Sequence, residues 1–190
     1  MKGDFSIILK KPQVALSSLF NLRQRLYERA VLRETFIQQA YFWLNSRMRP
    51  NTTLFDFGAG FGETAIYFAQ NSKVKEVIAY EPESYRFSEA LKNIRSSPFS
   101  RKVVLLNTRA NLDLVRSKKA AIKCDIEGAE QELFLNADLR TVYAVQVETH
   151  NTTRVVQKYL RTLGFRIPHA VSQKGTLYAE VGMICAERTE

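Results

Sequence analysis

Cysteine and histidine are scarce in this sequence, and long apolar runs are missing from it. The 190 residues include two cysteines, Cys124 and Cys185, and two histidines, His150 and His169. Both cysteines lie in apolar runs without C-x-x-C spacing, so we predict buried free thiols in a reducing compartment. Because nitrogen and sulfur ligands are so few, we predict no metal site.

No stretch of the chain approaches the ~20 apolar residues that a membrane-spanning helix needs. The N-terminal segment MKGDFSIILKKP contains a short apolar run, but Lys10, Lys11 and Pro12 end it before it reaches the length of a signal peptide. We therefore predict a cytoplasmic protein without a membrane span.

Acidic residues are outnumbered, most of all near the N-terminus. The formal net charge is +9, and residues 1–50 hold nine lysines and arginines against three acids, which places +6 in this first quarter. We predict an N-terminal helical arm over residues 1–50, packed on a domain of residues 51–190. Such an arm is expected to bind nucleic acid weakly and without sequence preference.

Periodicity predicts helices in the arm and an α/β fold after it. Apolar residues recur every three or four positions over residues 16–30, and a second helix is predicted to begin at Thr35, which has capping-box spacing to Gln38. Later, short apolar runs alternate with helical patterns, which predicts a Rossmann-like, mostly parallel sheet with an antiparallel C-terminal strand. The predicted strands are 53–57, 77–81, 103–107, 120–126, 142–148, 165–171 and 177–187. Only about a dozen residues separate the third and fourth strands, too few for a full helical crossover.

A glycine-rich turn follows the first predicted strand and opens a helix, in the order Asp56-Phe-Gly58-Ala59-Gly60-Phe-Gly62-Glu-Thr64. Glycines allow a tight turn and a close approach of backbone to a ligand. Glu81 ends the second strand, where an acid accepts hydrogen bonds from ribose hydroxyls. These features predict a nucleoside-containing cofactor, and on this ground alone NAD and S-adenosylmethionine both remain open. The predicted cofactor contacts are Asp56, Gly58, Ala59, Gly60, Gly62, Thr64, Glu81, Pro82 and Asp125.

Acidic residues cluster where the fourth and fifth predicted strands end. Asp125, Glu127 and Glu130 lie within six residues, and a helix start explains the two glutamates but not Asp125 at the strand tip. Glu148 and His150 end the neighbouring strand. A carboxylate and an imidazole in one crevice suit general-base chemistry on a hydroxyl, so the predicted catalytic residues are Asp125, Glu148 and His150. An oxygen-liganded magnesium ion among these acids is the open alternative to our prediction of no metal.

Three segments of the chain resemble the FkbM family of methyltransferases. KCDIEGAEQELF (123–134) is similar to the family element K-[IV]-D-[VI]-E-G-A-E. FDFGAGFGETAIYFA (55–69) resembles D-[VI]-G-A-N-x-G, and VQVETH (145–150) resembles a strand ending in E-x-H. The resemblance covers roughly residues 34–165 and implies transfer of a methyl group from S-adenosylmethionine, usually to oxygen, on a small molecule or glycan. Gly60 stands where the family usually has Asn, so one polar contact near the cofactor is expected to be missing.

Two other functions stay open. The basic arm and its aromatic residues Tyr27, Tyr41, Phe42 and Trp43 suit an RNA methyltransferase whose rings stack on bases. The helical spacing of Phe36 and Trp43 instead favours core positions. A non-catalytic binding protein built on a cofactor fold is the third hypothesis. The methyl acceptor and the oligomeric state do not follow from the sequence.

Overall fold

The fold centres on one seven-stranded sheet. The computed structural model describes residues 33–37, 40–112, 115, 119–135, 137–175 and 179–188. The strands are β1 (Thr52–Phe57), β2 (Val74–Tyr80), β3 (Val103–Leu106), β4 (Ala120–Cys124), β5 (Val142–His150), β6 (Arg166–Gln173) and β7 (Val181–Glu187). Their order across the sheet is β3-β2-β1-β4-β5-β7-β6. Strands β1 to β5 pair in parallel, and β7 runs antiparallel to both β5 and β6, which confirms the predicted sheet and the predicted pairing of the last two strands.

Helices flank the sheet within the described ranges. The α-helices are α1 (Phe42–Ser46), α2 (Glu63–Ala69), α3 (Ser84–Ser96), α4 (Glu130–Leu135) and α5 (Thr153–Thr162). A π-helical segment spans Arg33–Ile37, and a 3₁₀ turn spans Ser100–Lys102. The prediction of one helix beginning at Thr35 is wrong, because Thr35 lies inside the π-helical segment and the α-helix begins at Phe42. The predicted helix over residues 16–30 lies outside the described residues.

The site is positioned where β1 and β4 lie side by side. Both strands are buried along their whole length, which suits their apolar runs. β1 has β2 on one side and β4 on the other, so the chain order reverses at this point and a crevice opens beyond the strand ends. Gly58 follows β1 with a φ of +79°, and a Cβ added there would lie 1.8 Å from the carbonyl oxygen of Asp125. The two strand ends therefore meet at a contact that only glycine permits.

The described end of the predicted arm packs on the sheet. Leu44 of α1 is fully buried, and its N–H donates to Gln146 Oε1 on β5 at 3.2 Å. Arg47 pairs with Glu187 at 2.9 Å, and the guanidinium of Arg49 lies 4.4 Å from the ring centroid of Tyr143. These two arginines thus contribute to the fold, while residues 1–32 of the arm lie outside the described part.

The crossover between β3 and β4 is abbreviated, as predicted. Its described residues contain no α-helix, and Leu112 and Val115 from it are buried in the core beside β1 and β4. Cys124 and Cys185 are both buried and not joined in a disulfide, as predicted, while the reducing compartment stays a prediction. In the described residues, no helix combines the length and the apolar character needed to cross a membrane.

β7 lies between β5 and β6 in the sheet, and at Gly182 it comes very close to two threonine side chains. Thr149, at the end of β5, and Thr153, at the start of α5, join their hydroxyls at 2.7 Å. A Cβ at Gly182 would lie 2.5 Å from the hydroxyl oxygen of Thr153 and 2.7 Å from that of Thr149. A glycine is therefore needed for β7 to approach this threonine pair.

Candidate functional site

Four backbone N–H groups of the glycine turn after β1 donate hydrogen bonds within the protein. The N–H groups of Gly58 and Ala59 both donate to the carbonyl oxygen of Tyr80, at 3.1 and 2.9 Å. The N–H of Gly60 donates to Glu81 Oε2 at 2.9 Å, and that of Gly62 donates to the carbonyl oxygen of Ala59 at 2.8 Å. These four donors are therefore occupied within the protein, although the turn has the form of an anion-binding loop.

A buried ion pair lies beneath this turn. Asp56 is 0% exposed, accepts a hydrogen bond from the Thr64 hydroxyl at 2.6 Å, and has Lys123 Nζ 3.2 Å from its other oxygen. Lys123 Nζ also donates to the carbonyl oxygen of Gly58 at 2.6 Å. Burial lowers the pKa of Lys123, but the charges of Asp56, Tyr41, Asp125 and Glu63 together outweigh it, and the pKa is well above its ordinary value. Asp56 and Thr64, both predicted to contact a cofactor, thus bond to each other beneath the turn; Thr64 also lines a cavity next to the turn, and Asp56 does not.

Glu81 is held rigidly at the end of β2. It is buried, and its two carboxylate oxygens accept hydrogen bonds from the N–H groups of Gly60 and Glu83, each at 2.9 Å. Asn107 donates to the carbonyl oxygens of Glu81 and Pro82 at 2.9 and 3.3 Å, which ties the end of β3 to this loop. A carboxylate has about four acceptor positions, so Glu81 keeps capacity for further donors.

Two cavities adjoin the turn, and Gly58 lines both. The larger cavity has a volume of about 540 Å³, and its lining combines apolar residues such as Tyr80, Pro82 and Leu133 with the polar residues Arg109 and Glu132. The second, of about 210 Å³, is called the acidic cavity here. Its charged lining consists of five carboxylates and two permanent cations, namely Glu63, Glu81, Asp125, Glu127, Glu148, Arg86 and Lys123. Its lining thus bears a negative net charge in a chain whose formal net charge is +9.

His150 ends β5 and lines the acidic cavity. Its Nδ1 lies 2.9 Å from Glu130 Oε1, and Glu130 is fully buried at the start of α4. Its Nε2 lies 3.7 Å from Glu127 Oε2 and 3.9 Å from Glu148 Oε1. The contact that orients the imidazole ring therefore comes from Glu130, which is not among the predicted catalytic residues.

The pKa shifts agree with a charged Glu130–His150 pair. Burial raises the pKa of Glu130, yet the hydrogen bonds it accepts, first from His150, bring that pKa below its ordinary value. Burial lowers the pKa of His150, and the bond and charge of Glu130 raise it above its ordinary value. Burial also raises the pKa of Asp125, against the opposing charge of Lys123. An imidazolium formed at His150 is therefore stabilised by its surroundings.

The three predicted catalytic side chains lie close together. One ligand atom each from Asp125, Glu148 and His150 lies within 4.8 Å of the other two. Such a spacing would allow the three to share one divalent cation, although the charge of a protonated His150 can also offset the two carboxylates. Our prediction of no metal stays a prediction.

Three buried charged residues of the site were not among the predicted site residues. Lys123 and Glu130 are described above. The third, Glu63, is 6% exposed, lines the acidic cavity, and has a pKa that burial raises to about 7. Each lies within a motif that the sequence displays, but no pattern indicates whether a charged side chain at a strand or helix end points inward.

Comparisons with known proteins support the architecture. No family model matches the chain, and no curated protein matches it. Among solved structures, M. capricolum TrmK in complex with its cofactor product S-adenosyl-homocysteine has a TM-score of 0.62 at 15% identity, over 78% of this chain and 67% of that one. Precorrin-6y C5,15-methyltransferase from Geobacter metallireducens has a TM-score of 0.61 at 16% identity, over 80% and 88%. The B. subtilis m1A22 tRNA methyltransferase TrmK has a TM-score of 0.58 at 15% identity, over 78% and 65%.

Identities this low establish a shared fold, so the resemblance to the FkbM family stays a prediction. The sheet order, the single antiparallel strand and the crevice beyond β1 and β4 all agree with these likenesses. This chain has the Rossmann-like methyltransferase fold.

Proposed function

We propose that this protein is an S-adenosylmethionine-dependent methyltransferase that acts on a hydroxyl group of a small molecule or glycan, as its resemblance to the FkbM family implies. One observation carries the proposal. His150, oriented by the buried carboxylate of Glu130, lies in an acidic cavity that adjoins the glycine turn. The fold, the turn and a positioned base are the three parts that such a reaction requires.

The occupied backbone of the turn favours S-adenosylmethionine over a dinucleotide. A diphosphate is bound by free N–H groups at such a turn, whereas the N–H groups of Gly58, Ala59, Gly60 and Gly62 are all bonded within the protein. The acidic cavity next to the turn would repel a diphosphate and attract a cation. S-adenosylmethionine bears a positively charged sulfonium and no phosphate.

Each of the two cavities is proposed to bind a different part of the cofactor. The larger cavity, whose lining offers both apolar residues such as Pro82 and polar residues such as Asn111, is suited to the adenine ring. Glu81, at the end of β2, keeps acceptor capacity for ribose hydroxyls. The acidic cavity beyond Gly58 is left for the methionine moiety, whose sulfonium supplies an electrophilic methyl group when the cofactor is bound.

The residues around His150 then act on the acceptor. A hydroxyl becomes a good nucleophile when its proton is removed, and Nε2 of His150 is the ring atom that is not held by Glu130. When the His150 ring is neutral, the proton moves to its Nε2, and the nearby charge of Glu130 stabilises the imidazolium that forms. Asp125 and Glu148 are proposed to hold and align the acceptor, because both lie within 4.8 Å of the ring.

RNA methylation is the second candidate function. Two structures with this fold are named TrmK, one of them an m1A22 tRNA methyltransferase, and the predicted arm carries +6. Within the described part of the arm, however, Arg47 and Arg49 contact Glu187 and Tyr143, and Tyr41 is buried. We expect only weak RNA binding that falls steeply with salt, since released counterions dominate such binding. Tight binding near ~0.2 M salt would instead favour this candidate.

Transfer of a labelled methyl group into fractionated cell extract, with and without ribonuclease, tests the proposal. We expect labelling that survives ribonuclease and that falls about a hundredfold or more in His150→Gln, the range for loss of a general base. His169→Gln is the matched control, because this second histidine is exposed on β6. Ribonuclease-sensitive labelling would support the RNA candidate. Binding of S-adenosylhomocysteine without transfer to any fraction would support the non-catalytic hypothesis.

A further inference from the structure

We infer that Glu63 binds the α-ammonium group of the cofactor's methionine moiety. Glu63 is the first residue of α2 and lines the acidic cavity. The inference rests on the proposed function and deepens it, because it assigns recognition of the cofactor's amine to a residue that the sequence motifs do not single out.

One of the two carboxyl oxygens of Glu63 has no hydrogen-bond donor among the described residues. Glu63 is more than nine-tenths buried, and its Oε2 is inaccessible and accepts no hydrogen bond from the described residues. A buried acceptor without a partner costs about 1–3 kcal/mol, and more when it is charged. Native proteins satisfy such atoms with water or a ligand. Thr35, Tyr41 and Phe61 line the same cavity as Glu63.

Gly60 leaves the room that this carboxyl group occupies. A Cβ at Gly60 would lie 3.1 Å from Glu63 Oε1 and 3.7 Å from Oε2. The carboxyl group therefore stands directly beside the turn, in the direction in which a side chain at position 60 would extend. The polar contact expected to be missing because position 60 is glycine is thus available from Glu63.

The other acidic residues around the turn already take part in other interactions. The carboxylate of Asp56 is fully buried with Thr64 and Lys123 and does not line the acidic cavity. Glu81 accepts hydrogen bonds at both oxygens from the loop that follows β2. Asp125 and Glu148 group around His150, where the acceptor is proposed to bind. Glu127 is about half exposed and its Oε2 lies 3.7 Å from His150 Nε2, so Glu63 is the buried acid beside the turn that remains for the amine.

Charge balance agrees with this assignment. Burial raises the pKa of Glu63 to about 7, against backbone hydrogen bonds at Glu63 and Phe61 and the charge of Lys123 on β4, while the charge of Asp56 on β1 adds to the rise. Tyr41 and Glu81 line the same cavity. An ammonium group placed against the carboxyl favours the ionised form, so cofactor binding near pH 7 should release a proton from Glu63.

Calorimetry with three adenosine ligands tests the inference. S-adenosylhomocysteine carries the amine and the carboxylate, S-adenosyl-3-thiopropylamine keeps the amine alone, and 5′-methylthioadenosine lacks both. We expect Glu63→Gln to weaken the first two about tenfold or more and 5′-methylthioadenosine less than about twofold, because only the amine loses a charged hydrogen bond. Glu76→Gln, on the same sheet near the start of β2, is the matched control and should change none of them.

Each outcome separates the inference from the function on which it rests. Wild type that binds none of the three ligands overturns the proposed function. A second outcome would overturn the role of Glu63 and leave the proposed function standing. In this outcome wild type binds S-adenosylhomocysteine, but Glu63→Gln weakens the binding of all three ligands alike or of none of them. Glu63→Asp provides a second variant should the glutamine variant fold poorly. Its carboxylate is one methylene further from the amine, so it should weaken binding of the two amine ligands more than binding of 5′-methylthioadenosine. An equal effect on all three ligands would also overturn the role of Glu63. Calorimetry in buffers of different ionisation enthalpy measures how many protons are released on binding. Wild type should release a proton when it binds S-adenosylhomocysteine, and Glu63→Gln should not.

Discussion

Replacing Lys123 by methionine tests whether the buried ion pair holds the glycine turn in place. The ammonium lies 3.2 Å from Asp56 Oδ1 and donates to the carbonyl oxygen of Gly58 at 2.6 Å. Without it, the described residues leave the buried carboxylate with one hydrogen-bond donor, the hydroxyl of Thr64. Losing one partner of a buried pair costs about 3–5 kcal/mol. For a domain of this size each kcal/mol lowers Tm by about 2–4 °C, so we expect a fall of roughly 6–20 °C.

Urea unfolding of a double-mutant cycle with Asp56→Asn measures this effect. Each single variant leaves one charge buried alone, while the double variant buries neither, so the double should lose less stability than the sum of the singles by about 0.5–3 kcal/mol. Arg140→Met is the control, because Arg140 pairs with Asp138 on the exposed surface, where ion pairs contribute about 0–1 kcal/mol. Additive losses in the cycle, or a loss in Lys123→Met no larger than in Arg140→Met, would refute the reasoning.

Three further predictions concern the site itself. Glu81→Ala should weaken binding of S-adenosylhomocysteine about tenfold or more by calorimetry, because the ribose loses charged hydrogen bonds, and an unchanged affinity would remove Glu81 from the site. The folded-state pKa of His150 is raised above 6.5, so its stabilising contribution is complete below about pH 6.5 and is lost as pH rises through the folded value. The Tm difference between wild type and His150→Gln should therefore shrink as pH rises above about 6.5, and a constant difference would argue against the charged pair. Methyl transfer should persist in excess EDTA, since we predict no metal; activity that is lost and then restored by Mg²⁺ would instead indicate a cation among Asp125, Glu148 and His150.

The fold was largely predictable because its signals are local. The apolar runs of β1 and β4 are buried on both faces and could be recognised from composition alone. Gly58 and Gly62 have positive φ values, which few other residues adopt, so the turn is visible in the order of residues. The prediction failed at Thr35, where spacing suggested a helix cap but the residue is buried in a π-helical segment that lines the acidic cavity.

The pairing of charges in the site was harder to predict, because it depends on which way side chains point. Glu130 and Glu63 both occupy helix starts, where acids are common for electrostatic reasons. Only the positions of neighbouring strands show that Glu130 reaches His150, twenty residues later in the chain, and that Glu63 lies against Gly60. Asp56, the most recognisable acid of the turn, is directed into the protein by Lys123 of β4.

The insertion of β7 between β5 and β6 has a consequence for the order in which the protein can fold during its synthesis. β6 leaves the ribosome before β7, yet its one neighbour in the sheet is β7, so β6 has no partner until β7 has been made. Until then β5 also has an open edge on that side, and unpaired edges are prone to pair with other chains. Val181 of β7 pairs with His150, so the backbone of this proposed catalytic residue gains its last strand neighbour only after β7 has joined the sheet. The candidate site is thus completed late, which would delay any activity until most of the domain is in place.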